Sequence, residues 1–99
     1  MNAYETQALR FKNRVVWQDE YIIGMVNKEA PLSTSGVFKI AEAENVMSQA
    51  TTHKYLKRVV AKKFVQERSA KIDRRANELT LTEKGKHFIQ EIKDAYVRK

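Results

Sequence analysis

The residues Phe64-Val65-Gln66-Glu67-Arg68, then Ser69-Ala70-Lys71-Ile72-Asp73-Arg74-Arg75, then Asn77-Glu78-Leu79-Thr80-Leu81 decide the fold. The first and last runs are short and the last alternates apolar with polar residues, which is the period of a strand. The run between them is polar and basic and has the length of a hairpin tip. Everything on either side follows helical spacing instead. The chain is therefore a set of helices with one β-hairpin set into it.

Just upstream, Ser48 is an N-cap candidate for a helix whose inner stripe is Thr52, Tyr55, Leu56, Val59 and Val60. Gln49, Ala50, His53, Lys54 and Lys57 share the opposite face. Before it, Ser33, Thr34 or Ser35 caps a shorter helix with Val37, Ile40, Ala41 and Ala43 on its inner face, ending near Asn45, a residue that tolerates a left-handed turn. Pro31 separates that helix from what precedes it, because proline lacks an N–H and pushes its predecessor out of the helical region. Downstream of the hairpin, Thr82 caps a last helix with Glu83 in its first turn and Phe88, Ile89, Ile92 and Tyr96 on one face.

At the start of the chain, Tyr4, Ala8, Phe11, Val15, Ile22 and Met25 recur at helical spacing, with Val16, Ile23 and Val26 beside them and Trp17 and Tyr21 opening a third row. The pattern predicts one helix from Tyr4 to Val26, apolar over more than the ~100° stripe that one small core needs. The excess implies a second apolar neighbour, the same helix of another subunit; the alternative is that the domain wraps around the helix. Tyr4, Phe11, Val15, Trp17 and Ile22, with Tyr96 of the last helix, are the expected dimer residues. The order is helix, short extended segment, helix, turn, helix, hairpin, helix. It predicts a mostly α winged helix-turn-helix with a small β-hairpin wing (α+β). One domain spans 1–99, with an N-terminal helix in 1–29, helix-turn-helix and wing in 31–81 and a C-terminal helix in 82–99.

Charge points to a partner. The chain carries a net +7, and residues 48–75 alone hold nine Lys and Arg against two acids. The remaining residues are balanced, so the whole excess lies in one segment, and a polyanion is its natural partner. The alternative is a solvated basic face with no partner.

Other classes fare poorly. There is no cysteine, which excludes disulfides, thiolate metal sites and thiol redox switching. Two histidines, His53 and His87, give thin material for a metal site, and no metal or cofactor is expected. Neither a Gly-rich phosphate loop nor a His-Glu-x-x-His motif occurs, and Glu42 and Glu44 at i,i+2 do not share a helix face, so no enzymatic activity is expected. No apolar run reaches the ~18–20 residues of a membrane span, and Met1 to Glu5 lack the features of a signal peptide. The expected location is the cytoplasm, on the nucleoid.

The run Asp73-Arg74-Arg75-Ala76-Asn77-Glu78-Leu79-Thr80-Leu81-Thr82-Glu83-Lys84-Gly85 resembles the wing signature of MarR-type transcriptional regulators. Ser48-Gln49-Ala50-Thr51-Thr52 through Leu56-Lys57-Arg58-Val59 is similar to that family's recognition helix, Pro31-Leu32-Ser33 to the strand entering its helix-turn-helix, and Ile40-Ala41-Glu42 to the helix that follows. The resemblance covers about residues 31–90. Two departures stand out: the glycine that commonly closes the recognition helix is replaced by Lys63, and the chain is short. Dimerisation is still implied, whereas a pocket for a small-molecule effector does not follow.

The resemblance implies a sequence-specific regulator of double-stranded DNA, a repressor acting as a homodimer on a palindromic operator. Gln49 can bond adenine bidentately, Ser48 and Thr51 can reach bases or phosphate, and Ala50 can meet a thymine methyl, with His53, Lys54 and Lys57 along the groove wall. For Ser48 a plain N-cap is the competing role. In the wing, Arg68, Lys71 and Arg74 supply phosphate or minor-groove contacts, and by resemblance Arg75 is the minor-groove arginine, oriented by Asp73. Two other readings remain: an architectural or partition-type DNA binder with little sequence preference, and a winged-helix adaptor that binds protein.

Overall fold

The computed structural model describes residues 3–69 and 77–97. Among these residues, five helices and three short strands follow in the order α1 (Ala3–Asn13), α2 (Trp17–Glu29), β1 (Leu32–Ser33), α3 (Thr34–Ala43), α4 (Gln49–Ala61), β2 (Val65–Ser69), β3 (Asn77–Leu81) and α5 (Glu83–Val97). The expected winged helix-turn-helix is present: α3 and α4 form the helix-turn-helix, and β2 and β3 form the hairpin.

The single N-terminal helix is corrected. The chain breaks between Asn13 and Trp17, where Arg14 takes a left-handed φ of 55°. The break closes α1 with two backbone bonds, Arg14 N–H to the Phe11 carbonyl (3.1 Å) and Val15 N–H to the Arg10 carbonyl (2.8 Å). It opens α2 through the Asp19 carboxylate, which accepts the Val16 N–H at 3.1 Å. The gain is in packing, since the turn drops Val15 into the core at 5% exposure. The inner row assigned to α1 also changes. Phe11 points outward at 87% exposure and Ala8 is exposed, while Leu9 packs against the core.

The three strands form one antiparallel sheet with β3 in the middle, in the order β1-β3-β2. Leu32 faces Leu79 across β1 and β3, and Val65 faces Leu81 across β2 and β3. The second strand starts one residue later than the sequence pattern suggests. Phe64 belongs instead to the closing turn of α4, its N–H bonded to the Val59 carbonyl at 3.0 Å.

That closing turn also answers the missing glycine. Lys63 itself adopts φ 67°, and its N–H reaches the Val60 carbonyl at 3.0 Å. The helix ends as it would at a glycine, with a side chain held in a conformation that costs an L-residue roughly 1–2 kcal/mol. Asn45 does the same after α3 at φ 53°, and Ala43, expected on the inner face, is exposed in the last turn of that helix.

Ile22, Ile23 and Val26 of α2, Val37 of α3, Leu56 and Val59 of α4, Leu79 and Leu81 of β3, and Phe88 and Ile92 of α5 meet in one core. Each such side chain contributes ~1.5–3 kcal/mol on burial. The Phe64 and Phe88 rings pack tilted at 56° with centroids 5.5 Å apart. The α5 backbone comes close enough here that a Cβ on Gly85 would lie 2.2 Å from the Phe64 carbonyl oxygen. Thr82 starts α5 as expected, its hydroxyl accepting the Gly85 N–H at 3.1 Å.

Candidate nucleic-acid interface

The outward face of α4 is the face that the sequence pattern selects. Gln49, Ala50, His53, Lys54 and Lys57 are exposed, and the inner stripe of Thr52, Leu56 and Val59 is buried. Among the described residues, the side-chain hydrogen bonds at the start of the helix are local. Ser48 caps it, its hydroxyl accepting the Thr51 N–H at 3.2 Å and donating to the Thr51 hydroxyl at 2.9 Å. The capping role of Ser48 is therefore realised. Thr52 lies at 0% exposure with its hydroxyl donating to the Ser48 carbonyl at 2.8 Å, which agrees with its reading as core. The His53 ring lies against Phe38 of α3, tilted at 41° with centroids 6.0 Å apart, and Lys54 lies over the Tyr55 ring.

On the hairpin, Arg68 is exposed on β2 opposite Glu78 of β3. Lys71, Asp73, Arg74 and Arg75 lie outside the described residues.

The far end of α4 carries a cluster that the sequence reading passed over. Asp19 of α2 is fully buried, and its Oδ2 accepts from Arg58 Nε at 2.9 Å. Arg58 Nη2 donates to the Arg14 carbonyl at 3.1 Å, and the Lys62 ammonium donates to the same carbonyl. Lys84 of α5 in turn donates to the Lys62 carbonyl at 2.8 Å. Burial lowers the pKa of the Lys62 ammonium and Arg58 lowers it further; Asp19 pulls it back up, and smaller contributions from Lys84 and Arg14 lower it again. A signal for this cluster existed. Val15, Asp19, Ile22 and Val26 fall on one helical row, so Asp19 interrupts an otherwise apolar face and had to find a partner inside.

The residues named for dimerisation separate into two groups. Val15 and Ile22 are buried in the chain's own core at 5% and 0% exposure, which removes them from any surface shared with another copy. The domain wraps around this part of the chain, the alternative posed for its wide apolar face. Phe11 and Trp17 stand out at 87% and 57% exposure, and the side chains of Tyr4 and Tyr96 lie outside the described set. Trp17 borders an open groove of about 520 Å³, lined also by Arg10 of α1, Tyr21 and Met25 of α2 and Ile40 of α3. There the Tyr21 hydroxyl donates to Glu44 at 2.8 Å; burial, and then that bond, push its pKa up to about 12.

Among the described residues no group of acids and histidines is placed to hold a metal ion, and no helix is long and apolar enough to cross a membrane.

No family model matches the chain, and no curated protein matches it. Solved structures do. MepR from S. aureus, in complex with DNA, superposes with a TM-score of 0.77 at 15% identity, over 94% of this chain and 73% of MepR. MarR aligns at 0.70 and 17% identity, over 90% of this chain and 62% of MarR. Reduced AbfR bound to DNA aligns at 0.63 and 18% identity, over 93% of this chain and 68% of AbfR. The chain thus spans between three fifths and three quarters of these proteins. At such identities the likeness lies in the path of the backbone, and that path is the MarR-type winged helix-turn-helix fold.

Proposed function

We propose that the chain is a DNA-binding transcriptional regulator and not an enzyme, a repressor that binds a palindromic operator as a homodimer. The observation that carries this reading is the exposed face of α4, where Gln49, Ala50, His53, Lys54 and Lys57 lie together on one side of a helix anchored in the core. An α-helix fits the major groove, and Gln and Lys on such a face match base-edge and phosphate chemistry. Two proteins of the same fold, MepR and AbfR, are solved bound to DNA, which supports the assignment. Lys71, Arg74 and Arg75, with Asp73 orienting Arg75, supply the wing contact in this proposal, and Arg68 at its base binds phosphate. Phe11 and Trp17, with Tyr4 and Tyr96, are the residues through which two copies join in this proposal.

The test is selection from a random duplex pool at physiological salt, followed by anisotropy titration of the enriched duplex and a scrambled control. A palindromic motif bound ~10³-fold or more above the control supports the specific regulator. Tight binding of both with a steep salt dependence favours the architectural reading, and binding of neither overturns the proposal. Arg75→Ala is expected to cost ~1–3 kcal/mol of specific binding; undiminished affinity would remove the wing from it.

A further inference from the structure

We infer that Asp19 is a positioning residue for α4: through Arg58, and with the Arg14 carbonyl, it ties the aim of the DNA-facing helix to the corner between α1 and α2. The inference rests on the DNA-binding reading above and adds what orients its central element.

Asp19 is a poor choice if stability alone is at stake. It is fully buried, and its Oδ1 has no hydrogen-bond partner. A buried carboxylate with one oxygen unsatisfied costs desolvation that its ion pair only partly offsets, and an apolar side chain of similar size would serve the core as well or better. What the carboxylate provides is direction. Its Oδ2 receives both the Val16 N–H, which starts α2, and Arg58 Nε, one turn before the end of α4.

The guanidinium is planar, so its second bond fixes its plane. Nη2 reaches the Arg14 carbonyl, whose direction is set by the left-handed φ of that residue, and Lys62 converges on the same oxygen. On the other side of the corner, Arg10 of α1 pairs with Glu20 of α2, with Nη2 to Oε1 at 3.2 Å. The two helices at this corner and the end of α4 thus form one polar latch. The helix α4 is about 20 Å long, so a ~1 Å shift at its latched end, pivoting on the core, moves its free end by a similar distance. Base-edge hydrogen bonds of ~2.7–3.2 Å do not survive such a shift. A movement of α1, on which Phe11 is presented, is therefore felt at Gln49.

Two variants test this. Asp19→Asn keeps the shape of the side chain and raises the net charge by one, so electrostatics alone would strengthen DNA binding. Arg58→Lys keeps the charge but cannot hold Asp19 and the Arg14 carbonyl together in one plane. Both are titrated with the enriched and the scrambled duplex below their melting temperatures, and amide hydrogen exchange is followed over residues 58–64 without DNA. The expected result is about tenfold weaker binding of the enriched duplex, scrambled binding unchanged or tighter, and faster exchange at the end of α4. Should Asp19→Asn fail to fold, Arg58→Lys carries the same expectation. Unchanged or tighter binding of the enriched duplex by the folded variants overturns the positioning role. A wild-type chain that binds neither duplex overturns the DNA-binding reading and the positioning role together; faster exchange in the variants would then mark the latch as purely structural.

Discussion

The two ends of α4 are built on opposite plans. At its start the bonds are local, Ser48 to Thr51 and Thr52, and Ser48, Gln49 and Ala50 are exposed. At its end the bonds are tertiary: Arg58 and Lys62 reach the corner before α2, and Lys84 of α5 reaches the Lys62 carbonyl. One end satisfies its own backbone and leaves a polar face unspent, while the other gives its polar groups to the rest of the domain. A helix held at one end and presented at the other can meet a partner without disturbing the core.

The largest test of that contrast is Phe64→Ala, at the held end. The side chain is fully buried against Phe88, so truncation should cost ~3–5 kcal/mol in urea unfolding. A loss under ~1 kcal/mol would show that this end is not anchored as described. At the free end, Ser48→Ala removes only the cap, and about 1 kcal/mol is expected. A loss as large as that of Phe64→Ala would erase the distinction between the ends. Lys63→Gly should go the other way and raise stability by about 0.5 kcal/mol, because the left-handed φ of 67° suits glycine. If thermal unfolding shows a fall instead, the Lys63 side chain contributes to the held end. The smallest effect on stability is expected for Gln49→Ala, within about 0.5 kcal/mol, since the residue is exposed. Its effect should appear in the preferred base at one position per half-site, and an unchanged preference would place the reading face elsewhere on α4.

Much of this architecture is legible in the sequence because each element carries its own signal. Ser33, Ser48 and Thr82 cap the three helices expected to follow them, and the alternation of Asn77 to Leu81 marks the central strand. The break after α1 was hidden for a physical reason. Neither glycine nor proline marks it, and Phe11, Val15 and Ile22 keep helical spacing across it in the sequence, although Phe11 faces outward and Val15 and Ile22 face the core. The exposed face of α4 was readable from its 3.6-residue period. The latch at its far end was not, because Asp19 and Arg58 lie 39 positions apart and only the folded chain brings them together.

The sheet has one more consequence, for how copies of the protein meet at high concentration. Its central strand is shielded on one side by only two residues of β1, and its outer strand β2 runs for five residues with exposed Glu67 and Arg68 along it. Edges this short and this charged make poor templates for adding a strand from a neighbour. A neighbouring copy therefore finds little on this sheet onto which a strand of its own could be added.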